Sequence, residues 1–161
     1  MKRIFSPWRM KYIKNSDEQT GCIFCSLPQT GSDRENLIVN RGELAFVLLN
    51  RYPYTSGHLM VAPYAHKGSL EYLDAATHAE IMALVTHAIK VLRAVYHPDG
   101  FNVGANIGSA AGAGFADHVH FHIVPRWVGD TNFMSSLGEV RVLPEELEDT
   151  WARVCEAWDT V

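Results

Sequence analysis

The chain has 161 residues, of which 47% are hydrophobic and 20% charged, and a formal net charge of −4. That size suits one domain with a sizeable core and leaves little room for a second. No apolar run approaches the roughly eighteen residues that cross a bilayer, and no long run of Lys or Arg offers the basic stripe of a duplex-binding protein, so membrane and nucleic-acid partners are set aside.

The opening stretch, MKRIFSPWRMKYIK, starts basic but has neither a continuous apolar segment nor a small-residue cleavage site. It does not read as a signal peptide, and a cytoplasmic location is expected. The first forty residues read as irregular, with turn signals at Gly21, Pro28, Gly31 and Asn40. Two of the three cysteines stand as Cys22-x-x-Cys25. Without a secretory signal, that spacing suggests a metal clip or a redox pair rather than a disulfide framework.

Residues 44–50 (LAFVLLN) read as a buried strand, 52–57 as a turn and 58–62 (HLMVA) as a second strand, together a hairpin. From 74 to 96, Ile81, Leu84, Val85, Ala88, Ile89, Leu92 and Val95 recur at helical spacing, and the pattern stops before Pro98 and Gly100. Residues 101–107 and 117–125 read as further strands, separated by the small-residue stretch 108–114 (GSAAGAG). Residues 144–158 have helical spacing of Leu147, Trp151, Val154 and Cys155, a helix expected on the outside or against a partner. His78, His87 and His97 are expected to face solvent, and Cys155 to pack. Strands paired around one long helix predict an α+β domain with a mainly antiparallel sheet.

On a strand, side chains alternate faces, so His118, His120 and His122 share one face at about 6.6 to 6.8 Å between neighbours. Val119, Phe121 and Ile123 then point into the core. A row of imidazoles combines a nucleophile, proton donors and cationic stabilisation near neutral pH, a combination suited to phosphate chemistry. Two other readings stand beside it. Single strand histidines are usually structural, and His-x-His pairs also ligate zinc or iron, for which Asp117 and His58 could complete a hydrolytic site. The stretch 108–114 enters the row directly, and its glycines allow backbone N–H groups to approach anionic oxygens.

The run His118-Val119-His120-Phe121-His122-Ile123-Val124, followed by Pro125-Arg126, resembles the signature of the histidine-triad (HIT) family. LLNRYPYTSGHLMVAP resembles the family's upstream hairpin, and NIGSAAGAGFADHVHFHIVPRW its glycine-rich entry to the triad. SPWRMKYI, GCIFC and GDTNFM are similar to a bacterial branch of diadenosine tetraphosphate phosphorylases, so the resemblance covers about residues 6–158. It implies a single HIT domain over 1–161, with a long helix and a C-terminal helix on its sheet. It also implies nucleotide cleavage at the α-phosphorus through a covalent nucleotidyl-histidine, with no organic cofactor. Phosphate as acceptor would make a phosphorylase, which the branch favours, and water a hydrolase.

By the same resemblance His120 is the nucleophile, His122 assists the leaving group, His118 supports the site and His58 joins from the hairpin. Asn50 would hold the ribose, Leu48 the base, and Asn106 with Gly112 and Gly114 the phosphate turn. That turn, Ala111-Gly112-Ala113-Gly114-Phe115, is one residue longer than in many relatives and lacks a side chain that often contacts phosphate. Relatives with a Cys-x-x-Cys bind zinc with two histidines, which implies a structural zinc on Cys22, Cys25, His66 and His118. A homodimer through the long helix and its edge strand is implied as well. The alternatives are a HIT hydrolase of nucleoside phosphoramidates or dinucleoside triphosphates, or a nucleotide-binding signalling module.

Overall fold

The computed structural model describes residues 21–130 and 145–161. The SPWRMKYI block, the last four residues of GDTNFM and the first residue of the expected C-terminal helix lie outside the described residues. A one-turn helix α1 (Ile23–Ser26) leads into strand β1 (Ile38–Arg41), the hairpin β2 (Ala45–Leu49) and β3 (Leu59–Pro63), and the long helix α2 (Ala75–Tyr96). Strands β4 (Gly100–Ala105) and β5 (Phe121–Arg126) follow, then helix α3 (Leu147–Trp158). The five strands form one antiparallel sheet in the order β1-β2-β3-β5-β4.

The sheet is covered on both sides, which is why β2 and β3 are apolar along their whole length. Val47, Leu49, Leu59, Val61 and Ile123 face α2 and α3, while Phe46, Leu48, Met60 and Ala62 face a smaller cluster with Phe24 and Ile38. The triad stands on this second face, since His122 pairs with Met60. Helix α2 begins at Asp74, whose carboxylate accepts from the Thr77 N–H at 2.7 Å, and ends at His97 in the left-handed conformation, just before Pro98. Its Glu80 carboxylate accepts from the N–H groups of Leu44 (2.9 Å) and Ala45 (3.0 Å), tying the helix to the start of β2.

Four expectations need correction. Residues 22–41 are structured: Asn40 is no turn but lies in β1 opposite Val47, beside a bulge that interrupts the register and hid the strand's alternation. The strand expected over 117–125 starts only at Phe121, so His118 and His120 precede the ladder. Helix α3 packs into the core, with Val154 and Trp158 buried against α2 and the Trp151 indole N–H donating to the Ile38 carbonyl at 2.8 Å. His87 is half-buried on that helix, 2.8 Å from the Trp158 carbonyl, rather than facing solvent.

Candidate active site and metal centre

Three imidazoles from two elements meet on the open face of β5. His58 comes from the residue before β3, held because its carbonyl accepts from the Asn50 N–H (2.9 Å) and its own N–H reaches the Thr55 carbonyl (3.2 Å). His58 Nε2 lies 3.0 Å from His122 Nδ1, and the rings of His120 and His122 sit 4.9 Å apart at 69°. His58 and His118 are fully buried and His120 is 5% exposed.

The hydrogen-bond partners assign the tautomers, because a carbonyl only accepts and a backbone N–H only donates. His120 Nδ1–H donates to the His118 carbonyl (2.9 Å), which leaves Nε2 with a lone pair. His118 Nε2–H donates to the Pro63 carbonyl (2.8 Å), leaving its Nδ1 as the lone-pair atom. His58 Nδ1 accepts from the Tyr54 N–H (3.1 Å), so its Nε2–H donates to His122 Nδ1. His122 therefore carries its remaining proton on Nε2. Burial lowers the pKa of His118 and His120, and lowers that of His122 to about 4 with added repulsion from His120. The row is neutral at pH 7, as a nucleophile requires.

A second constellation abuts the first. Cys22 and Cys25 flank one turn, in which the Cys25 and Ser26 N–H groups both reach the Cys22 carbonyl at 3.1 Å. The turn brings both thiols to His66 and His118. Cys22 Sγ lies 3.3 Å and Cys25 Sγ 3.6 Å from His118 Nδ1, while His66 Nδ1 is 3.3 Å from both Cys25 Sγ and His118 Nδ1. Ligands on a tetrahedral zinc would stand about 3.6 Å apart for sulfur to nitrogen and about 3.3 Å for nitrogen to nitrogen, from bonds of roughly 2.3 and 2.05 Å. The four atoms match that shape and could hold a metal ion. Among the described residues this is the group of three or more such side chains close enough to share one ion, and it includes neither Asp117 nor His58.

The remaining expected residues are distributed around the triad. Leu48 is buried in the apolar cluster on the triad's face, 2% exposed. Asn50 caps the hairpin turn, its Oδ1 accepting from the Tyr52 N–H at 2.9 Å. Asn106 Nδ2 donates to the Gly112 carbonyl (3.3 Å), bracing the small-residue loop, and Gly112 has a φ of 86° that favours glycine. Gly114 lines a cleft with Phe115, Asp117, His66 and His118. Sequence reasoning missed Phe24, which lies inside the Cys-x-x-Cys but packs its ring on His120, 4.5 Å between centroids. It also missed Tyr54, whose N–H sets the His58 tautomer; a backbone donor leaves no mark in side-chain patterns.

A family profile for the HIT domain matches residues 32–128. The chain is 42% identical over 166 aligned residues to an AP-4-A phosphorylase of Mycobacterium tuberculosis, covering 98% of this chain and 85% of that protein. It is 34% identical to an adenosine 5′-monophosphoramidase of Schizosaccharomyces pombe, over 78% of this chain and 95% of that one. Among solved structures, a zinc-bound histidine triad family protein from Mycobacterium smegmatis superposes with a TM-score of 0.70 at 26% identity, covering 87% of this chain and 94% of the other. With the triad, its neighbouring imidazoles and these relatives in agreement, the chain belongs to the HIT family.

Proposed function

We propose that this enzyme cleaves diadenosine tetraphosphate and similar dinucleoside polyphosphates at the α-phosphorus through a nucleotidyl-His120 intermediate, with inorganic phosphate as the acceptor. The observation that carries the reading is the bond from His120 Nδ1–H to the His118 carbonyl, which leaves the Nε2 lone pair for attack. The likeness to the M. tuberculosis AP-4-A phosphorylase supports the substrate and the acceptor.

In the first step Nε2–P forms as the bond to the bridging oxygen breaks, and its electron pair leaves on the departing polyphosphate. A polyphosphate departs as an anion and needs a hydrogen bond rather than a full proton. His122, neutral with its proton on Nε2, supplies that bond, oriented from behind by His58. In the second step a phosphate oxygen attacks phosphorus, N–P breaks, and His120 recovers its lone pair. The products are ATP from the first step and ADP from the second. Asn50 holds the ribose, Leu48 lines the base pocket, and Gly112 and Gly114, braced by Asn106, cradle phosphate oxygens.

Cys22, Cys25, His66 and His118 hold a structural zinc. All four positions are protein ligands, and His118 donates its other N–H to a carbonyl, as metal-bound histidines do. The zinc supplies folding energy by tying α1 to the sheet. The whole chain acts as one cytoplasmic HIT domain with nucleotide and phosphate as its partners. Edge strand β4, exposed at Asn102, Val103 and Gly104, supports a homodimer. Incubation with diadenosine tetraphosphate, with and without phosphate, tests the function. ADP plus ATP only with phosphate is the expected result. AMP plus ATP would make the enzyme a hydrolase, and no cleavage would reject the substrate.

A further inference from the structure

We propose that Phe24 is a positioning residue for the nucleophile, held in place by the turn that carries two of the four metal ligands. The inference rests on the reading of His120 as the attacking group. Cys22 and Cys25 reach the metal cluster from either end of that turn, and Phe24, between them, points to the triad instead. Its ring is 1% exposed and lies 4.5 Å from His120 at 30°, 5.3 Å from His118 at 41°, and 5.7 Å from Phe115 edge-on.

An imidazole hung from one N–H···O bond can still swing about its side-chain torsions. His120 is hung in this way from the His118 carbonyl, with His122 standing against it at 69° and Phe24 nearly parallel to its plane. Rotation of the His120 ring would sweep its edge into the space Phe24 fills. The aromatic ring thus holds the plane in which Nε2 is presented. His118 serves both constellations, since its Nδ1 belongs to the metal cluster and its carbonyl orients His120.

Phe24 also acts on charge. His120 keeps its Nδ1 proton when Nε2 bonds to phosphorus, so the neutral ring becomes cationic as the polyphosphate leaves. A cation within about 6 Å of an aromatic centroid is attracted to the ring face. The contact strengthens from ground state to transition state, and it should raise the rate of adduct formation rather than the affinity for substrate. Loss of the metal would free both ends of the turn and loosen Phe24 with it.

The test replaces Phe24 by leucine and, separately, by phenylalanines carrying one, two and three ring fluorines, which drain the π face at nearly constant size. Rapid-quench measurement of nucleotidyl-His120 formation should show about a tenfold loss for Phe24→Leu, the scale of a desolvated cation–π contact. KM and the zinc content per chain should be unchanged, and the rate should fall stepwise along the fluorinated series. A flat fluorinated series, or a raised KM at unchanged rate, would overturn the proposal. Imidazole ¹⁵N spectra of resting protein give a second readout that needs no turnover. One fixed Nδ1–H tautomer of His120 in the parent and a mixture in Phe24→Leu supports the positioning role, and identical spectra overturn it. A parent enzyme that forms no adduct would refute the proposed function instead, with the spectra still judging Phe24.

Discussion

At the scale of single residues, the chemistry depends on which ring nitrogen carries each proton. The chain His58–His122 and the separate bond from His120 to a carbonyl set two histidines in opposite roles, one with a proton and one with a lone pair toward the open face. Replacing His120 by asparagine should remove turnover while leaving nucleotide affinity nearly intact, because only the attacking nitrogen is lost. Retained turnover above a few per cent, measured as release of ADP and ATP, would defeat the covalent mechanism. Asn50 serves two functions, since its Oδ1 already accepts from the Tyr52 N–H. Asn50→Ala should weaken nucleotide binding by about 1 to 2 kcal/mol by calorimetry, the scale of a lost hydrogen-bond partner. Asn50→Asp, which keeps the acceptor for Tyr52, separates the turn from the ribose contact; equal affinity in all three proteins would show that Asn50 does not touch the nucleotide.

At the scale of elements, the β2–β3 hairpin is the piece that places His58, and its turn is backed by α2. Gly57 is buried with a φ of 76°, and a Cβ there would lie 3.0 Å from Leu92 Cδ2 and 3.1 Å from the Tyr96 ring. Gly57→Ala should cost about 2 kcal/mol from left-handed strain and crowding, seen as a lower urea midpoint at unchanged slope. A midpoint equal to the parent's would show that the turn relaxes freely. Elements with strong periodicity were legible in the sequence: α2 was expected over 74–96 and spans Ala75–Tyr96, and the hairpin strands fall within a residue of their expected places. Strand β1 was not legible, because a bulge beside Asn40 breaks its period and four residues give too little pattern. The triad was legible as a motif but not as a geometry. Extended backbone before Phe121 keeps the imidazoles together without ladder bonds, and alternation alone could not reveal that His118 turns its Nδ1 toward the cysteines.

At the scale of the molecule, the metal cluster and the buried histidines both link folding to solution conditions. The cluster joins α1 to the loop after β3 and to the start of the triad, so Cys22→Ala should lose the metal and melt at a lower temperature. Elemental analysis of the parent should find about one zinc per chain. A zinc-free parent with the variant's melting temperature would leave the cysteines as packing. The acid side of the stability curve carries a separate signature from His122. Burial first, and His120 second, hold its pKa at about 4 in the folded chain, against 6.5 ordinarily. As pH falls below about 6.5, the unfolded chain takes up a proton at this residue that the folded chain refuses, and by linkage stability drops. The loss continues to about pH 4, where the folded histidine also protonates, and at roughly 1.4 kcal/mol per unit it totals about 3 kcal/mol. Urea unfolding from pH 8 to 4 on the parent and on His122→Asn isolates the residue, because every other titrating group, the metal ligands included, is common to both. The parent should lose about 3 kcal/mol more than the variant across that window. Parallel curves would mean that His122 titrates as an ordinary histidine, already charged near pH 6 and open to solvent.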